Sequence, residues 1–158
     1  MNAPGKLKAR YSPSGICVTD LQRSIDFYRN VFGFSEGGQL RIENEHQAML
    51  SLEGDVSLHS VFLRNGGLVI ELLYFARPEP FGPMAARAFN QRGLTHLSFN
   101  VDSLEVMVGD VLAWGGTVLT ETRSRFELPH MAGEILFVTD PDGTRIELMA
   151  FPQDVVIA

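Results

Sequence analysis

Val18-Thr19-Asp20-Leu21 and Val101-Asp102-Ser103-Leu104 stand 101 − 18 = 83 positions apart, and the same shift lays Ile25 on Val108, Val31 on Trp114 and Gly33 on Gly116. Each copy reads as a strand, a helix cap, a helix and a glycine stop. In the first, Asp20 is placed to cap a helix whose apolar residues Leu21, Ile25, Tyr28 and Phe32 recur at helical spacing, and Gly33 supplies a left-handed end. In the second, Ser103 caps Leu104, Met107, Val108, Val111 and Leu112, and Gly115-Gly116 ends the run.

Working outward, each helix is followed by strand signals that close in a hairpin. Leu58 to Arg64 turns at Asn65-Gly66-Gly67 into Leu68 to Phe75; Ile135 to Thr139 turns at Asp140-Pro141-Asp142-Gly143 into Thr144 to Phe151. Each half therefore reads βαβββ. The expected division is an N-terminal extension (1–12), a first module (13–76), a proline-rich linker with a short helix over about 84–92 (77–93), a second module (94–152) and a tail (153–158). Neither half is large enough to bury its sheet alone, so an α+β fold is expected in which the two modules form a curved mixed sheet around a shared cavity.

The 158 residues are 45% apolar and 20% charged, which suits a compact unit with a sizeable core. A formal charge of −6 provides no basic field for a phosphate backbone, so nucleic acid is not an expected partner. Acidic substrates would need a local basic patch. The longest apolar stretch, about Leu68 to Ala76, is broken by Glu71 and falls well short of the roughly 20 residues of a membrane helix. The basic start, Met1 to Tyr11, has no apolar segment behind it and does not read as a signal peptide. Cys17 is the single cysteine, which excludes an internal disulfide and fits a cytoplasmic protein.

Glu71 and Glu147 are the chemically informative residues, each the lone acid within an Ile-Glu-Leu strand. A carboxylate on a half-buried strand costs several kcal/mol unless a cation, a metal ion, hydrogen-bond donors or a retained proton compensates it. His96 shares a strand face with Ser98 and Asn100. Glycine-rich phosphate-binding patterns and nucleophile elbows are absent from the sequence.

With Val18 to Tyr28 leading to Gly33-Phe34, Ile70-Glu71-Leu72-Leu73, Gly93-Leu94-Thr95-His96, and Asp140-Pro141-Asp142-Gly143-Thr144-Arg145-Ile146-Glu147-Leu148, the chain resembles the vicinal oxygen chelate superfamily over roughly residues 13 to 152. That superfamily includes glyoxalase I, methylmalonyl-CoA epimerase, extradiol dioxygenases and bleomycin-type resistance proteins. Its metal-using members draw one ligand from the first and one from the last strand of each half. The resemblance thus implies Glu71, His96 and Glu147 as ligands for a divalent metal (Zn, Ni, Co, Mn or Fe). The fourth slot falls at 96 − 83 = 13, which is Pro13 and has no donor side chain. This departure argues against ring-cleaving oxygenation and leaves both a metal-bound and a metal-free site open.

Counted back from Glu71 without a gap, His59 falls where epimerase-like relatives carry a catalytic carboxylate, so the resemblance implies an acid/base role for it beside Glu147 or Glu71, with His96 holding a metal or polarising the carbonyl. His130 is a further candidate for the cavity lining, His46 is expected to be solvated, and Cys17 is expected to fill space. The resulting expectation is a glyoxalase- or epimerase-like isomerase or lyase, a homodimer, moving a proton on a small carbonyl compound. The alternative is a metal-free binding protein of the bleomycin-resistance type, with an aromatic pocket drawn from Phe27, Phe62, Phe75, Phe81, Phe99 and Phe126.

Overall fold

The computed structural model describes residues 11–85, 87–128 and 131–152. The first half runs β1 (Ser14–Val18), α1 (Leu21–Phe32), β2 (Ser35–Glu43), a single-turn α2 (Gln47–Leu50), β3 (Ser57–Asn65) and β4 (Leu68–Arg77). The second runs β5 (Leu97–Asn100), α3 (Leu104–Ala113), β6 (Thr117–Leu128), β7 (Met131–Thr139) and β8 (Arg145–Ala150). The fold is α+β, and each βαβββ module forms its own four-stranded mixed sheet, in the orders β1-β4-β3-β2 and β5-β8-β7-β6. The outermost pairings β1–β4 and β5–β8 are parallel, and the others are antiparallel.

The caps form as the repeat predicts. Asp20 accepts from the Arg23 amide at 3.0 Å, and Ser103 accepts from the Val106 amide at 3.3 Å. At the end of α1 the Gly33 amide returns to the Arg29 carbonyl at 3.0 Å. Gly116 begins the β6 side of the second module so closely packed that an added Cβ would lie 2.5 Å from the Thr139 carbonyl oxygen and 2.8 Å from Phe27.

What joins the halves is one core. Ile16 and Val18 of β1, Val61 and Leu63 of β3, and Ile70 and Leu72 of β4 share a buried cluster with Leu136, Val138, Ile146 and Leu148 of the second sheet and with residues of both helices. Phe32 of α1 stacks on Phe99 of β5 at 4.4 Å between centroids. Polar contacts then fix the angle between modules. The fully buried Tyr28 hydroxyl donates to Asp140 Oδ2 at 2.9 Å, while Asp140 Oδ1 accepts the Asp142 and Thr144 amides at 3.0 and 2.7 Å. Burial pushes the Asp140 carboxyl up from its ordinary value, and these donors pull it back. Asp142 meanwhile accepts from Arg23 Nη2 at 2.9 Å and from the Thr19 amide at 3.2 Å.

Two local features depart from the sequence reading. The 84–92 segment, expected as a short helix, runs as bends and turns in its described residues. A nine-residue helix is marginal alone, and Arg87 is drawn away to the carbonyls of Arg92 and Leu94 while Phe89 packs on the second sheet. Conversely, the unforeseen α2 precedes Leu52 and Val56 across the outer face of the first sheet, where Ile42, Val56 and Leu58 form a second small cluster with Leu50, Leu52, Leu73 and Phe75. Among the described residues no helix is long and apolar enough to cross a membrane.

Removing the Tyr28 hydroxyl leaves a buried carboxylate short of one donor. Tyr28→Phe is therefore expected to lower unfolding free energy by about 1.5 to 3 kcal/mol, read as a lower urea midpoint at unchanged slope. An unchanged midpoint would mean that this contact does not hold the modules together. Gly116→Ala, which forces a side chain against backbone, should destabilise by about 1 to 3 kcal/mol in the same assay.

Candidate functional site

Strand alternation decides where the two glutamates point. In β4, Ile70 and Leu72 face the common core, so Glu71 between them faces away from it; in β8, Ile146 and Leu148 do the same to Glu147. The two positions match in detail, since Phe62 of β3 lies opposite Glu71 and Phe137 of β7 lies opposite Glu147. Each carboxylate is compensated by a serine: Ser60 Oγ, fully buried, donates to Glu71 Oε1 at 2.5 Å, and Ser98 Oγ donates to Glu147 Oε2 at 2.6 Å. Hydrogen-bond donors are thus the compensation within this chain.

His96 immediately precedes β5 and reaches the same outer face. Its Nε2 lies 3.4 Å from Glu147 Oε2, and its Nδ1 lies 2.9 Å from Thr95 Oγ1. In the tautomer in which Nδ1 accepts from the Thr95 hydroxyl, Nε2 carries the proton on the side of Glu147. The imidazole is packed edge-on against Phe137 and Phe89, at 5.4 and 5.8 Å between ring centroids. Arg145, two residues before Glu147 and on its face, lays its guanidinium 4.1 Å over the Phe89 ring. Of these groups, Thr95, His96 and Arg145 line a cavity of about 550 Å³ between the modules, together with Gly15 and Cys17 of β1, the linker and the β7–β8 turn, while Glu147 stands behind His96 outside that lining. The linker lies tightly on that turn, because a Cβ at Gly143 would overlap the Met84 carbonyl oxygen.

The predicted residues separate into those brought together and those kept apart. His96 and Glu147 meet; Glu71 does not join them, and among the described residues no group of three or more His, Cys, Asp or Glu side chains is placed to hold a metal ion. The donors of one chain therefore do not fit a chelated divalent ion. Pro13 sits just before β1, as His96 sits before β5, which preserves the repeat relation between them.

His59 is also kept apart, and its assignment as an acid/base beside Glu147 needs correcting. The register pairs Phe62 with Glu71 and His59 with Tyr74, so His59 lies on the opposite face of the sheet from Glu71. There it hydrogen-bonds Gln39 at 2.8 Å, and burial together with the Arg41 charge holds its pKa below the usual imidazole value. An ungapped count along the sequence locates the strand position but not the face. His46 is exposed beside Glu45, and His130 lies outside the described residues.

The expected aromatic set disperses. Phe27 is buried in the core and Phe99 packs against it, Phe62 and Phe75 lie on the outer face of the first sheet, and Phe81 and Phe126 are exposed. The rings at the site are Phe89 and Phe137. Sequence reading missed them, along with Ser60 and Arg145. For Arg145 and Phe137 the signal was available, since each lies at even spacing or direct register from Glu147; Phe89 was assigned to a helix and could not be foreseen there.

Comparison with known proteins agrees with this architecture. The family described as Glyoxalase/Bleomycin resistance protein/Dioxygenase superfamily matches residues 10–148. The Escherichia coli protein YaeR, described as uncharacterized, is 34% identical over 133 residues, covering 84% of this chain and 89% of that protein. Lactoylglutathione lyase of Schizosaccharomyces pombe is 30% identical over 85% of this chain, which spans 45% of that enzyme's length. Among solved structures, a glyoxalase family protein from Bacillus cereus superposes with a TM-score of 0.76 at 20% identity, covering 94% of this chain and 99% of that one. The fosfomycin resistance protein FosX of Listeria monocytogenes, in complex with Mn(II) and sulfate, superposes with a TM-score of 0.58 at 19% identity, covering 94% and 97%. With nearly the whole repeat matched and a relative of this identity along most of both chains, the protein belongs to the Glyoxalase/Bleomycin resistance protein/Dioxygenase superfamily.

Proposed function

We propose that the chain is a glyoxalase- or epimerase-like enzyme that moves a proton on the carbon next to the carbonyl of a small compound. The observation that carries this reading is the His96–Glu147 pair, 3.4 Å apart, whose His96 lines a cavity of about 550 Å³. Glu147 Oε2 accepts from Ser98 and lies 3.4 Å from His96 Nε2 without a hydrogen bond to it, whereas Oε1 has no hydrogen-bond partner among the described residues. Oε1 is the base. It takes the proton from the carbon, the electron pair moves into an enolate, and the His96 Nε2–H donates to the carbonyl oxygen where that charge collects. The same carboxylic acid returns the proton to the carbon from which it came or, where that carbon bears a hydroxyl whose proton passes to the first carbonyl oxygen, to the neighbouring carbon. Ser98 fixes the carboxylate by its other oxygen, and Phe137 and Phe89 limit water around the pair.

Positioned general-base catalysis contributes roughly 100- to 10,000-fold. Exchange of the C–H for deuterium in heavy water, followed by NMR over a panel of small 2-oxo compounds and thioesters, is expected with the wild type. Glu147→Gln should slow it by a factor in that range. A panel that shows no exchange with correctly folded protein would contradict the enzyme reading and favour a metal-free small-molecule binder, a reading supported by Pro13 in the first ligand slot and by the separation of Glu71 from His96.

A homodimer belongs to this proposal. The outer faces bearing Glu71 and Glu147 turn away from the common core, and a second copy laid against them would enclose what one chain leaves open. Light scattering at micromolar concentration should give a dimer mass; a monomer would contradict it. For the metal, Pro13→His would place an imidazole beside Glu71 as His96 stands beside Glu147, because Gly15 pairs with Glu71 as Ser98 pairs with Glu147. Calorimetric titration with zinc, nickel and manganese should then show tighter binding in the variant than in the wild type, by at least tenfold. No binding in either protein would remove a divalent metal from the proposal.

A further inference from the structure

The cavity beside His96 has an unusual charge balance for a chain of net charge −6. Five guanidinium groups outside it, Arg23, Arg29, Arg77, Arg123 and Arg125, each have a carboxylate within 4.0 Å. Arg145 and Arg87, both lining the cavity, have no carboxylate partner among the described residues. The acid that shares the lining, Asp142, is committed to Arg23 and Thr19 and is only 6% exposed in its side chain. Arg87 spends its donors on the carbonyls of Arg92 and Leu94, and so shapes the linker. Arg145 donates once, from Nη2 to the Arg87 carbonyl at 2.6 Å, while its Nε is buried with no hydrogen-bond partner. A buried, unmatched donor on a charged group is costly, on the order of 1 to 3 kcal/mol or more, and the cost is relieved when an acceptor arrives.

We infer that this cavity takes a small carboxylate and that Arg145 is the residue that binds it. The inference rests on the proton-transfer reading of His96 and Glu147 and names its substrate class. Strand geometry sets the scale. At a rise of about 3.3 Å per residue, Arg145 and Glu147 are about 6.6 Å apart along β8 on one face. A carboxylate held at Arg145, in a cavity whose lining also includes His96, suits a short 2-oxo or 3-oxo acid rather than a long chain. The planar guanidinium fits a carboxylate with two parallel hydrogen bonds from one edge. The Phe89 ring lies 4.1 Å from the guanidinium carbon and is 49% exposed, on a linker segment without helix, so it shifts aside as the carboxylate pairs with Nε. Acidic substrates require a local basic patch on this chain, and Arg145 with Arg87 supplies it.

The probes are pyruvate and its uncharged methyl ester, titrated into wild type, Arg145→Gln and Arg145→Lys while the His96 ring signals are followed by NMR. The wild type is expected to show saturable shifts with pyruvate and at least tenfold weaker binding of methyl pyruvate. Arg145→Gln should lose that discrimination, and Arg145→Lys should keep part of it, because charge remains without the bidentate edge. Equal affinity for both probes, no saturation with pyruvate, or unchanged discrimination in Arg145→Gln would overturn the inference. The wild-type comparison decides the matter even where a variant fails to fold. Carboxylate discrimination without carbon-bound proton exchange would uphold the anion site and sink proton transfer. Exchange that proceeds equally with both probes would do the reverse.

Discussion

The site depends on one constraint, the burial of Ile146 and Leu148 on the common core. Both are fully buried, and in a strand the residues between and beside them must take the other face. Glu147 and Arg145 are thereby fixed on one outward surface, at a spacing set by backbone geometry and not by flexible loops. The parallel neighbour β5 is held in register, Ser98 against Glu147 and Leu97 against Ile146, so the side chain two residues before Ser98 can only be delivered beside the carboxylate. Slipping either strand by one residue would bury the carboxylate and expose the core leucines at once, a penalty large enough to fix the register.

The two modules repeat this logic and then diverge in chemistry. Ile70 and Leu72 turn Glu71 outward as Ile146 and Leu148 turn Glu147, and Ser60 compensates one acid as Ser98 compensates the other. The second module adds an imidazole where the first has proline. The asymmetry also explains why one cavity lies beside His96: the Asp140-Pro141-Asp142-Gly143 turn is tied to α1 by Tyr28, Thr19 and Arg23, and that tie brings β1 and the linker over the second sheet's edge.

Much of this was legible in the residues. The 83-residue shift, the caps at Asp20 and Ser103 and the hairpin turns gave both modules, because these signals are local and chemical. Glu71, His96 and Glu147 stood out because each breaks an apolar pattern. What sequence could not supply was how the modules face each other. Packing of both sheets on one core does not group Glu71 with His96 and Glu147 as ligands, a tertiary outcome invisible to strand periodicity. His59 failed for a related reason: spacing from Glu71 was counted, but parity across the Asn65–Leu68 hairpin, which assigns the face, was not. Arg145 carries no signal of an unpaired charge, since only the structure reveals that no carboxylate among the described residues meets it.

The central claim is that His96 and Glu147 act as one unit on the outer face of β8 and that His59 takes no part. A double-mutant cycle on the rate of carbon-bound proton exchange, with His96→Gln, His59→Gln and Glu147→Gln, tests it most directly, because groups that act as a unit are non-additive and distant groups are additive. The account predicts that His96→Gln has little further effect once Glu147 is replaced, and that His59→Gln leaves the rate unchanged in either background. Additive losses at His96 and Glu147, or coupling between His59 and Glu147, would contradict it.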